Sequence, residues 1–270
     1  EALRQLDLGR TYDEAVKTAL DGCFGYQYPH QADIDLHTVI SVSERKKAGQ
    51  EAEGVRQMGP APETESLGEG TEETAVSGSR QEDRKTRQEA MERAARRGSA
   101  YHRALELLDF GKAESLEQLE EQLCRMEEEN RMTPEARQLI RPEVLLRFTS
   151  SQLGRRMAKA QQAGKLWRER QFVIGVPARQ LGLADSGERV LIQGVIDAYL
   201  EEDGGLVLVD YKTDRAAPGQ EAVLIERYRV QLEDYRMALE QMTGKPVKEQ
   251  ILYSLSLQKA IAVPQAGGSA

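Results

Sequence analysis

The stretch of sequence that decides the fold reads RVLIQGVIDAYLEEDGGLVLVDYKT and runs from Arg189 to Thr213. Two apolar runs rich in β-branched residues, Val190 to Leu200 and Leu206 to Tyr211, flank Asp203-Gly204-Gly205. Asp-Gly between two such runs is the strongest short-range signal for a β-hairpin, because both residues tolerate the left-handed backbone that a tight turn requires. The stretch therefore predicts a tight antiparallel pair of strands.

The register of this hairpin brings two carboxylates face to face. If Asp203-Gly204 forms a two-residue loop, Asp197 lies directly opposite Asp210 on one face of the pair. Like charges at opposed positions are destabilising, and more so in apolar strands, where charge is poorly solvated. A divalent cation would offset the repulsion, and hard oxygen ligands suit Mg²⁺ or Mn²⁺. A turn centred on Gly204-Gly205 would shift the pairing by two residues and leave the carboxylates only diagonally adjacent.

Lys212 lies two residues beyond Asp210 and on the same face by strand alternation, so an ammonium group is expected beside the carboxylates. A purely structural interpretation is also open, in which Asp197 marks a bend and Asp210 pairs with Lys212 at a strand end. The D-x-K triplet alone is common by chance. An opposed aspartate in a run with no other charge from Val190 to Leu200 favours the metal site.

Composition limits the class of protein. The chain has 270 residues, 39% of them hydrophobic, which allows one large domain or two smaller ones. No apolar run is long enough to span a membrane and no signal peptide opens the chain, so we expect a soluble protein without a membrane partner. The two cysteines, Cys23 and Cys124, have no CxxC spacing, which argues against a disulfide framework and against an iron-sulfur or zinc site. A reducing cytoplasm fits this usage.

The net charge of −8 is concentrated in one segment. From Glu51 to Asp83 the chain has nine acidic and two basic residues, a balance of −7, which leaves −1 for the rest. Basic clusters at 84–87, 93–97, 155–156 and 165–170 are candidates for a phosphate-binding surface, although solvated helix faces explain any single cluster equally well. The overall acidity therefore does not exclude a nucleic-acid partner.

The chain divides into three parts. It opens at Glu1 in what resembles the middle of a helix, so we interpret 1–47 as a segment that connects to an absent portion of a longer polypeptide. Residues 48–83 are rich in Gly, Glu, Ser, Thr and Pro and are expected to be a disordered acidic linker. Residues 84–270 are expected to form the folded domain.

The pattern along the chain predicts the following elements. Residues 38–43 are extended, with a helix start at 43–44; helices cover 84–110, 115–132, a short piece capped by Thr133, 141–160 and 220–242; strands cover 171–176, the central hairpin and 250–257. In order, the folded part has helices, three strands, a helix and a strand.

That order, with an acidic residue on the second strand and D-x-K on the third, resembles the PD-(D/E)XK nuclease fold, an α/β restriction-endonuclease-like core with additional helices. Four local motifs resemble those of the RecB-type nuclease family: Gly98-Ser-Ala-Tyr-His102, Gly194-Val-Ile-Asp197, Val209-Asp-Tyr-Lys-Thr213 and Gln231-Leu-Glu-Asp-Tyr235. The phrases VLVDYKTDR and ISVSE are similar to the C-terminal nuclease domain of the AddA-type branch. The resemblance covers about 38–47 and 98–260, and the spaced combination is specific where each motif alone is weak.

The resemblance implies a set of metal ligands: His102, Asp197 and Asp210, with the Tyr211 carbonyl as a fourth. It makes Lys212 the catalytic lysine. Glu169, in Arg168-Glu-Arg-Gln-Phe172, matches an acidic position near the metals, although a salt bridge at the rim accounts for it nearly as well. A single histidine on a helix is more often structural than ligating, and only the company of the other residues favours His102 as a ligand.

Gln231 and Tyr235 match a further pair of family positions. They are spaced i, i+4 and so lie on one helix face, where the resemblance implies contact with the DNA strand or support of the active site. The alternative is a core tyrosine beside an ordinary helix glutamine.

The implied activity is that of a Mg²⁺-dependent DNA exonuclease domain from a double-strand-break repair helicase-nuclease, with Mn²⁺ as a substitute. The family implies degradation of the 3'-ended strand, a helicase portion in the same polypeptide, and a partner of the AddB type. AddB-type relatives carry cysteines that hold an iron-sulfur cluster, which this sequence lacks. No GxxxxGK[ST] phosphate loop is present, so ATP is expected to act only in the absent helicase portion.

Two rival functions are weighed against this one. A non-catalytic DNA- or partner-binding module on the same fold is disfavoured by the intact set of His102, Asp197, Asp210 and Lys212. A stand-alone endonuclease of the same fold is disfavoured by the fragment-like ends and by the resemblance of 38–47.

Overall fold

The computed structural model describes residues 13–26, 33–34, 36–52 and 79–265. Within them the helices are α1 Glu14–Phe24, α2 Val42–Ala52, α3 Ser79–Leu107, α4 Leu116–Glu128, α5 Pro134–Gln138, α6 Pro142–Thr149, α7 Gln152–Gln162 and α8 Glu221–Thr243. The strands are β1 Val39–Ser41, β2 Leu166–Pro177, β3 Arg189–Glu202, β4 Gly205–Lys212, β5 Val247–Ser254 and β6 Lys259–Ala262.

The described chain forms two compact units. The smaller unit, 1–38 with 176–190, contains α1, whose N-terminus is capped by the Asp13 side chain, and a short 3₁₀ turn at Ala178–Leu181. The larger unit, 39–175 with 191–270, contains every residue that the sequence places in the candidate site.

The β3–β4 hairpin has the predicted turn. Asp203 and Gly204 both have positive φ, 49° and 74°, as a two-residue type I′ loop requires. Paired positions run from Glu202 opposite Gly205 to Ala198 opposite Val209. The predicted register is therefore confirmed over this range, and its next position sets Asp197 against Asp210.

The hairpin lies at the centre of a six-stranded sheet with the order β1-β3-β4-β5-β6, and β2 also pairs with β3. β1 is parallel to β3 and β4 is parallel to β5, whereas β3–β4 and β5–β6 are antiparallel. The predicted fold class, a mixed α/β PD-(D/E)XK core, agrees with this arrangement. β4 is buried along nearly all of its length, as expected of a central strand covered on both faces.

One face of the sheet carries the main core, where helices α3 to α7 cover strands β3, β4 and β5. Phe148 packs edge-on against Tyr211 and Tyr253, with ring centroids 5.6 and 4.5 Å apart. Helix α8 contacts β4 and β5, and its buried residues lie outside this core cluster. α8 ends at Gly244, whose φ of 68° is the left-handed C-cap that Thr243-Gly244 predicts.

Several element boundaries differ from the prediction. The helix predicted over 141–160 is two helices, because Ser151 caps a new N-terminus by accepting from the Gly154 N–H at 3.1 Å. α4 ends at Glu128, four residues early, before Asn130 turns left-handed with φ 54°. β2 is twice as long as predicted, and β6 is an additional short strand.

The segments around the predicted linker also contribute to the fold. β1 and α2 come from the part interpreted as a connection, yet β1 pairs with β3 and α2 packs against α8. α2 continues to Ala52 and α3 begins at Ser79, so helix enters the predicted linker from both ends. The charged run after Ser79 consists of good helix formers, which explains the early start of α3. The rest of the predicted linker, 53–78, lies outside the described residues.

None of the helices in the described ranges combines the length and apolar character needed to cross a membrane.

Candidate active site

His102 reaches the sheet because α3 comes very close to the end of β4. A Cβ at Gly98, one turn before His102, would lie 2.9 Å from Thr213 Oγ1, so glycine permits the close approach. At the other end of the helix the Arg168 guanidinium donates to the carbonyls of Leu105 and Leu108, at 3.1 and 2.6 Å. These carbonyls lack partners within the helix, so Arg168 fixes the end of α3 and with it the position of His102.

The His102 ring connects both strands of the hairpin. Its Nε2 lies 3.2 Å from the Tyr211 carbonyl, which can only accept, so Nε2 carries the hydrogen. Its Nδ1 faces the carboxylates, 3.4 Å from Asp197 Oδ1, and donates to that oxygen when the ring is protonated on both nitrogens. Asp197 Oδ2 accepts the Tyr211 backbone N–H at 2.8 Å. Here the Tyr211 carbonyl orients the imidazole, as a hydrogen-bond acceptor behind a histidine ligand would, and its own role as a metal ligand stays a prediction.

Glu169 is held toward the same point by an unusual backbone. Its φ is 47° in the middle of β2, a left-handed conformation that is uncommon for a residue other than glycine. Such strain persists only where the surrounding structure imposes it, and it is concentrated at functional sites. The carboxylate lies 3.9 Å from His102 Nδ1. The structure thus places the Glu169 carboxylate beside His102, and its part in metal binding stays a prediction.

Asp210 is fully buried and has different partners from Asp197. The Lys212 ammonium lies 2.7 Å from Asp210 Oδ2, and the Gln231 amide donates to Asp210 Oδ1 at 3.1 Å. The same amide nitrogen donates to the Tyr235 hydroxyl at 2.9 Å. Tyr235 is only 6% exposed and packs edge-on against Phe172. Gln231 and Tyr235 therefore support Asp210 in this structure, and their contact with DNA stays a prediction.

The two aspartates, equivalent in the sequence pattern, differ in their pKa. Burial acts to raise the pKa of Asp197, but the hydrogen bond with His102 and the charge of Lys212 outweigh it and the pKa falls. Burial raises the pKa of Asp210 to about 6, against the opposing charge of Lys212 and with the help of Asp197. Lys212 and His102 thus offset part of the predicted repulsion with protein charges alone.

The pKa values of His102, Lys212 and Glu169 also depend on the neighbouring charged groups of the site. Burial lowers the pKa of His102 and of Lys212, but their carboxylate neighbours, chiefly Asp197 and Asp210, raise both above the usual values. Burial, assisted by the charge of Asp197, raises the pKa of Glu169 to about 7. A buried group of three carboxylates with shifted pKa values is typical of a functional site.

The arrangement fits a divalent cation. One ligand atom each from His102, Glu169 and Asp197 lies within 4.8 Å of the others, and imidazole and carboxylate groups are both common ligands of divalent metals. Asp210 as a ligand stays a prediction, because its Oδ2 is paired with Lys212 here. The converging group of side chains therefore shares His102 and Asp197 with the implied ligand set and adds Glu169, and it contains neither Asp210 nor the Tyr211 carbonyl.

Two neighbours of the site were not found from the sequence. Arg168 stands in the sequence only as the residue before Glu169, and its role depends on carbonyls some 60 residues away in the chain. Tyr228, on α8, places its ring under the Lys212 ammonium, 4.6 Å from the centroid. The available signal was its position one helical turn before Gln231, on the face that points to the site.

Comparison with known proteins agrees with this geometry. Residues 78–266 match the sequence model of the PD-(D/E)XK nuclease superfamily. The chain is 36% identical over 205 residues, 63% of its length, to the AddA-type chain of the ATP-dependent helicase/nuclease of Lachnoclostridium phytofermentans. It is 33% identical over 250 residues, 91% of its length, to the corresponding chain of Alkaliphilus metalliredigens.

These matches cover only part of the relatives, 15% of the first protein and 19% of the second. The chain therefore spans less than a fifth of the length of the curated relatives it matches. The predicted resemblance to the AddA type is confirmed at this level. With most of its length matched by the family model, the chain belongs to the PD-(D/E)XK nuclease superfamily.

Proposed function

We propose that this chain is a metal-dependent DNA nuclease domain that hydrolyses phosphodiester bonds during double-strand-break repair. The observation that carries the proposal is the convergence of His102, Glu169 and Asp197 within 4.8 Å, next to the buried Asp210–Lys212 pair. An acidic, largely buried cluster with the Lys212 ammonium beside it suits a site that takes up a divalent ion together with an anionic substrate.

Each residue has a defined task in this function. His102, Glu169 and Asp197 would hold Mg²⁺ or Mn²⁺, and a bound divalent ion supplies charge neutralisation at the scissile phosphate and a more acidic water. The Tyr211 carbonyl keeps the imidazole hydrogen on Nε2 and leaves Nδ1 directed at the carboxylates. Lys212, oriented by Asp210, places an ammonium where it contacts the phosphate or the attacking water. Gln231 holds Asp210 in place.

The finer assignments rest on the relatives. Their name, ATP-dependent helicase/nuclease, supports a place for this domain beside a helicase portion and a partner of the AddB type. By the same resemblance the substrate is the 3'-ended strand, the reaction is exonucleolytic, Mg²⁺ is the natural ion, and the protein acts in the cytoplasm.

The main rival is a DNA-binding module on this fold without catalysis. The strained backbone at Glu169 argues against it, because a module that only binds DNA has no use for a third carboxylate held in a disfavoured conformation. Binding of DNA alone would favour fewer buried acids, since each repels the phosphates.

The test is single-turnover cleavage of single-stranded DNA labelled at either end, with Mg²⁺, with Mn²⁺ and with excess chelator. We expect cleavage only with a metal, and release of mononucleotides or short fragments from the 3' label first. Cleavage in excess chelator would refute the mechanism. If the isolated domain shows no cleavage, calorimetric titration with Mn²⁺ and the same assay in the complete helicase-nuclease decide between the two functions.

A further inference from the structure

Helix α2 enters the site region from a part of the chain that the family model does not cover. Its start is fixed by a capping box: the Glu44 carboxylate accepts from the Ser41 backbone N–H at 2.8 Å, and the Glu44 N–H donates to Ser41 Oγ at 3.2 Å. One residue later the Arg45 guanidinium forms an ion pair with Asp234 of α8, a carboxylate that is only 1% exposed. The rotation of α2 on α8 is therefore fixed.

This rotation directs Lys46 to the edge of the active site. Its ammonium lies over the ring of Tyr228, 3.8 Å from the centroid, and the Lys212 ammonium lies over the same ring at 4.6 Å. A buried tyrosine thus holds two cations through its π face. One of them belongs to the D-x-K motif, and the other comes from a helix more than 160 positions earlier in the chain.

No carboxylate in the described part of the chain pairs with Lys46. The nearby Asp214 carboxylate accepts from the Tyr228 hydroxyl at 2.6 Å and pairs with Arg227 at 3.6 Å, while Asp210 is engaged by Lys212. Among the residues that the structure describes, Lys46 forms neither an ion pair nor a hydrogen bond. Burial first, and then the charge of Lys212, lower its pKa to about 8, although the charges of Asp214 and Asp210 act to raise it.

We propose that Lys46 binds a phosphate of the DNA strand beside the scissile phosphate, so that it and Lys212 form a two-cation clamp across Tyr228. This inference rests on the proposed function, because the anion is the substrate backbone. A half-buried ammonium next to a second cation is unfavourable until an anion arrives, and an oligonucleotide phosphate is the anion that such a site receives. Lys46 is thereby a substrate-binding residue supplied by α2.

The competing explanation is that Lys46 only packs on Tyr228, since a cation over an aromatic ring is stabilising without any ligand. The two explanations differ in the salt dependence of DNA binding. Each phosphate neutralised on a single strand contributes about 0.7 to the slope of log K against log salt. If Lys46 only packs on Tyr228, removing its charge leaves the slope unchanged. If Lys46 contacts a phosphate, removing its charge lowers the slope by one such increment.

The experiment compares the full 270-residue chain with Lys46→Met, Lys46→Arg and Lys47→Met, each also carrying Asp210→Asn. The shared substitution removes one site carboxylate, and therefore part of the repulsion of DNA. Fluorescence anisotropy with a labelled single-stranded oligonucleotide is measured in chelator over a range of KCl concentrations. Lys47 is the matched control, because it makes the same change of charge at the next position of α2.

We expect Lys46→Met to lower the salt slope by about 0.7 and to weaken binding about fivefold at roughly 0.1 M salt, with Lys46→Arg restoring the slope. Lys47→Met should stay within about twofold of the parent. Equal slopes for Lys46→Met and Lys47→Met, or no measurable binding by the parent, would overturn the inference. Because no cleavage is involved, the binding result stands independently, even if the complete helicase-nuclease proves inactive with metal and the proposed function is thereby refuted.

Discussion

The two ends of the β3–β4 hairpin carry the same kinds of side chain and treat them differently. At the turn end, Arg156 bridges Glu202 and Glu249 at 2.6 and 2.9 Å, and Glu201 lies between Lys165 and Lys245. Each of these charges has an opposite neighbour, and each side chain remains partly exposed, from 17% for Glu201 to 51% for Lys165. At the other end, the carboxylates of Glu169, Asp197 and Asp210 share a small, largely buried volume.

The difference lies in how charge is compensated. Glu202 and Glu249 are 32% and 50% exposed, so water and arginine satisfy them together, and such pairs contribute little to stability. Asp210 is fully buried and its pKa rises to about 6 despite the adjacent Lys212. A cluster that keeps an unfavourable balance of charge indicates a site that is completed by something else. Substitutions at the two ends should therefore have effects that differ in kind.

The largest effect is expected for Asp210→Asn, which keeps the shape of the side chain and removes its charge. Without the carboxylate, Lys212 loses its orientation and the site loses one negative charge, so cleavage should fall by roughly 10³-fold or more, equivalent to several kcal/mol. Single-turnover cleavage with Mg²⁺ measures this, and far-UV circular dichroism should show an intact fold. Glu202→Gln at the turn end is the control and should cleave at the parental rate.

A smaller loss is expected for Lys212→Met. Removal of one preorganised electrostatic contact typically costs about 10² to 10³ in rate, while the metal-binding groups remain. Mn²⁺ affinity by calorimetry should persist as the chemical step slows. Lys245→Met, which removes a lysine from the turn end, should leave the rate unchanged. Unaltered cleavage by Lys212→Met, in the isolated domain or in the complete helicase-nuclease, would remove Lys212 from the catalytic residues.

The third effect is a pH dependence of metal binding. Burial raises the pKa of Glu169 to about 7, so below pH 7 the carboxylate is mostly protonated. The proton then competes with the metal ion for this group. Mn²⁺ affinity should therefore rise with pH, about tenfold between roughly pH 6 and 8 from this group alone, with a further part from His102. In the variant Glu169→Gln, the tenfold rise in Mn²⁺ affinity that comes from this group should be absent. Calorimetric titration at several pH values checks this, and an equally steep dependence in the variant would exclude Glu169 as a ligand.

The smallest effect is expected for Arg156→Ala at the turn end. Partly exposed ion pairs contribute about 0.2–1 kcal/mol each, so the free energy of unfolding should fall by no more than roughly 2 kcal/mol for the two contacts. Cleavage should be unaffected. Urea unfolding with and without about 0.5 M NaCl measures the loss, which salt should reduce because it screens exposed charges. A fall in cleavage rate would mean that the two ends are coupled through the hairpin.

What could be predicted from the sequence was mainly local. Asp203-Gly204 determines its own backbone and so fixes the register, and with it the position of Asp197 against Asp210. The left-handed backbone of Glu169 could not be predicted, because contacts distant in sequence impose it on a residue that would otherwise avoid it. The sequence offered the ion pair of Lys212 with Asp210 as an alternative to a metal site. In the structure this ion pair lies directly beside the candidate metal ligands.

For strand β1 the extended backbone was predicted from the sequence, but its position in the sheet was not. Three residues carry too little pattern to name a partner, and a parallel pairing leaves no turn to reveal it. The position of Lys46 could not be predicted either, because only the packing of α2 on α8 brings it to Tyr228.

The pairing of β1 with β3 also bears on how a shortened form of this domain would behave. The family match begins at residue 78, and a fragment trimmed to that boundary would lack β1 and α2. The backbone groups between Leu191 and Gln193 that pair with β1 would then lose their partners, and Gly194 would lose the cover of Val42. Exposed strand edges next to apolar surface pair with strands from other molecules. Such a fragment is therefore expected to aggregate, although it would keep all of the candidate site residues. We therefore expect this domain to resist aggregation only together with a three-residue strand that lies outside the residues matched by the family model.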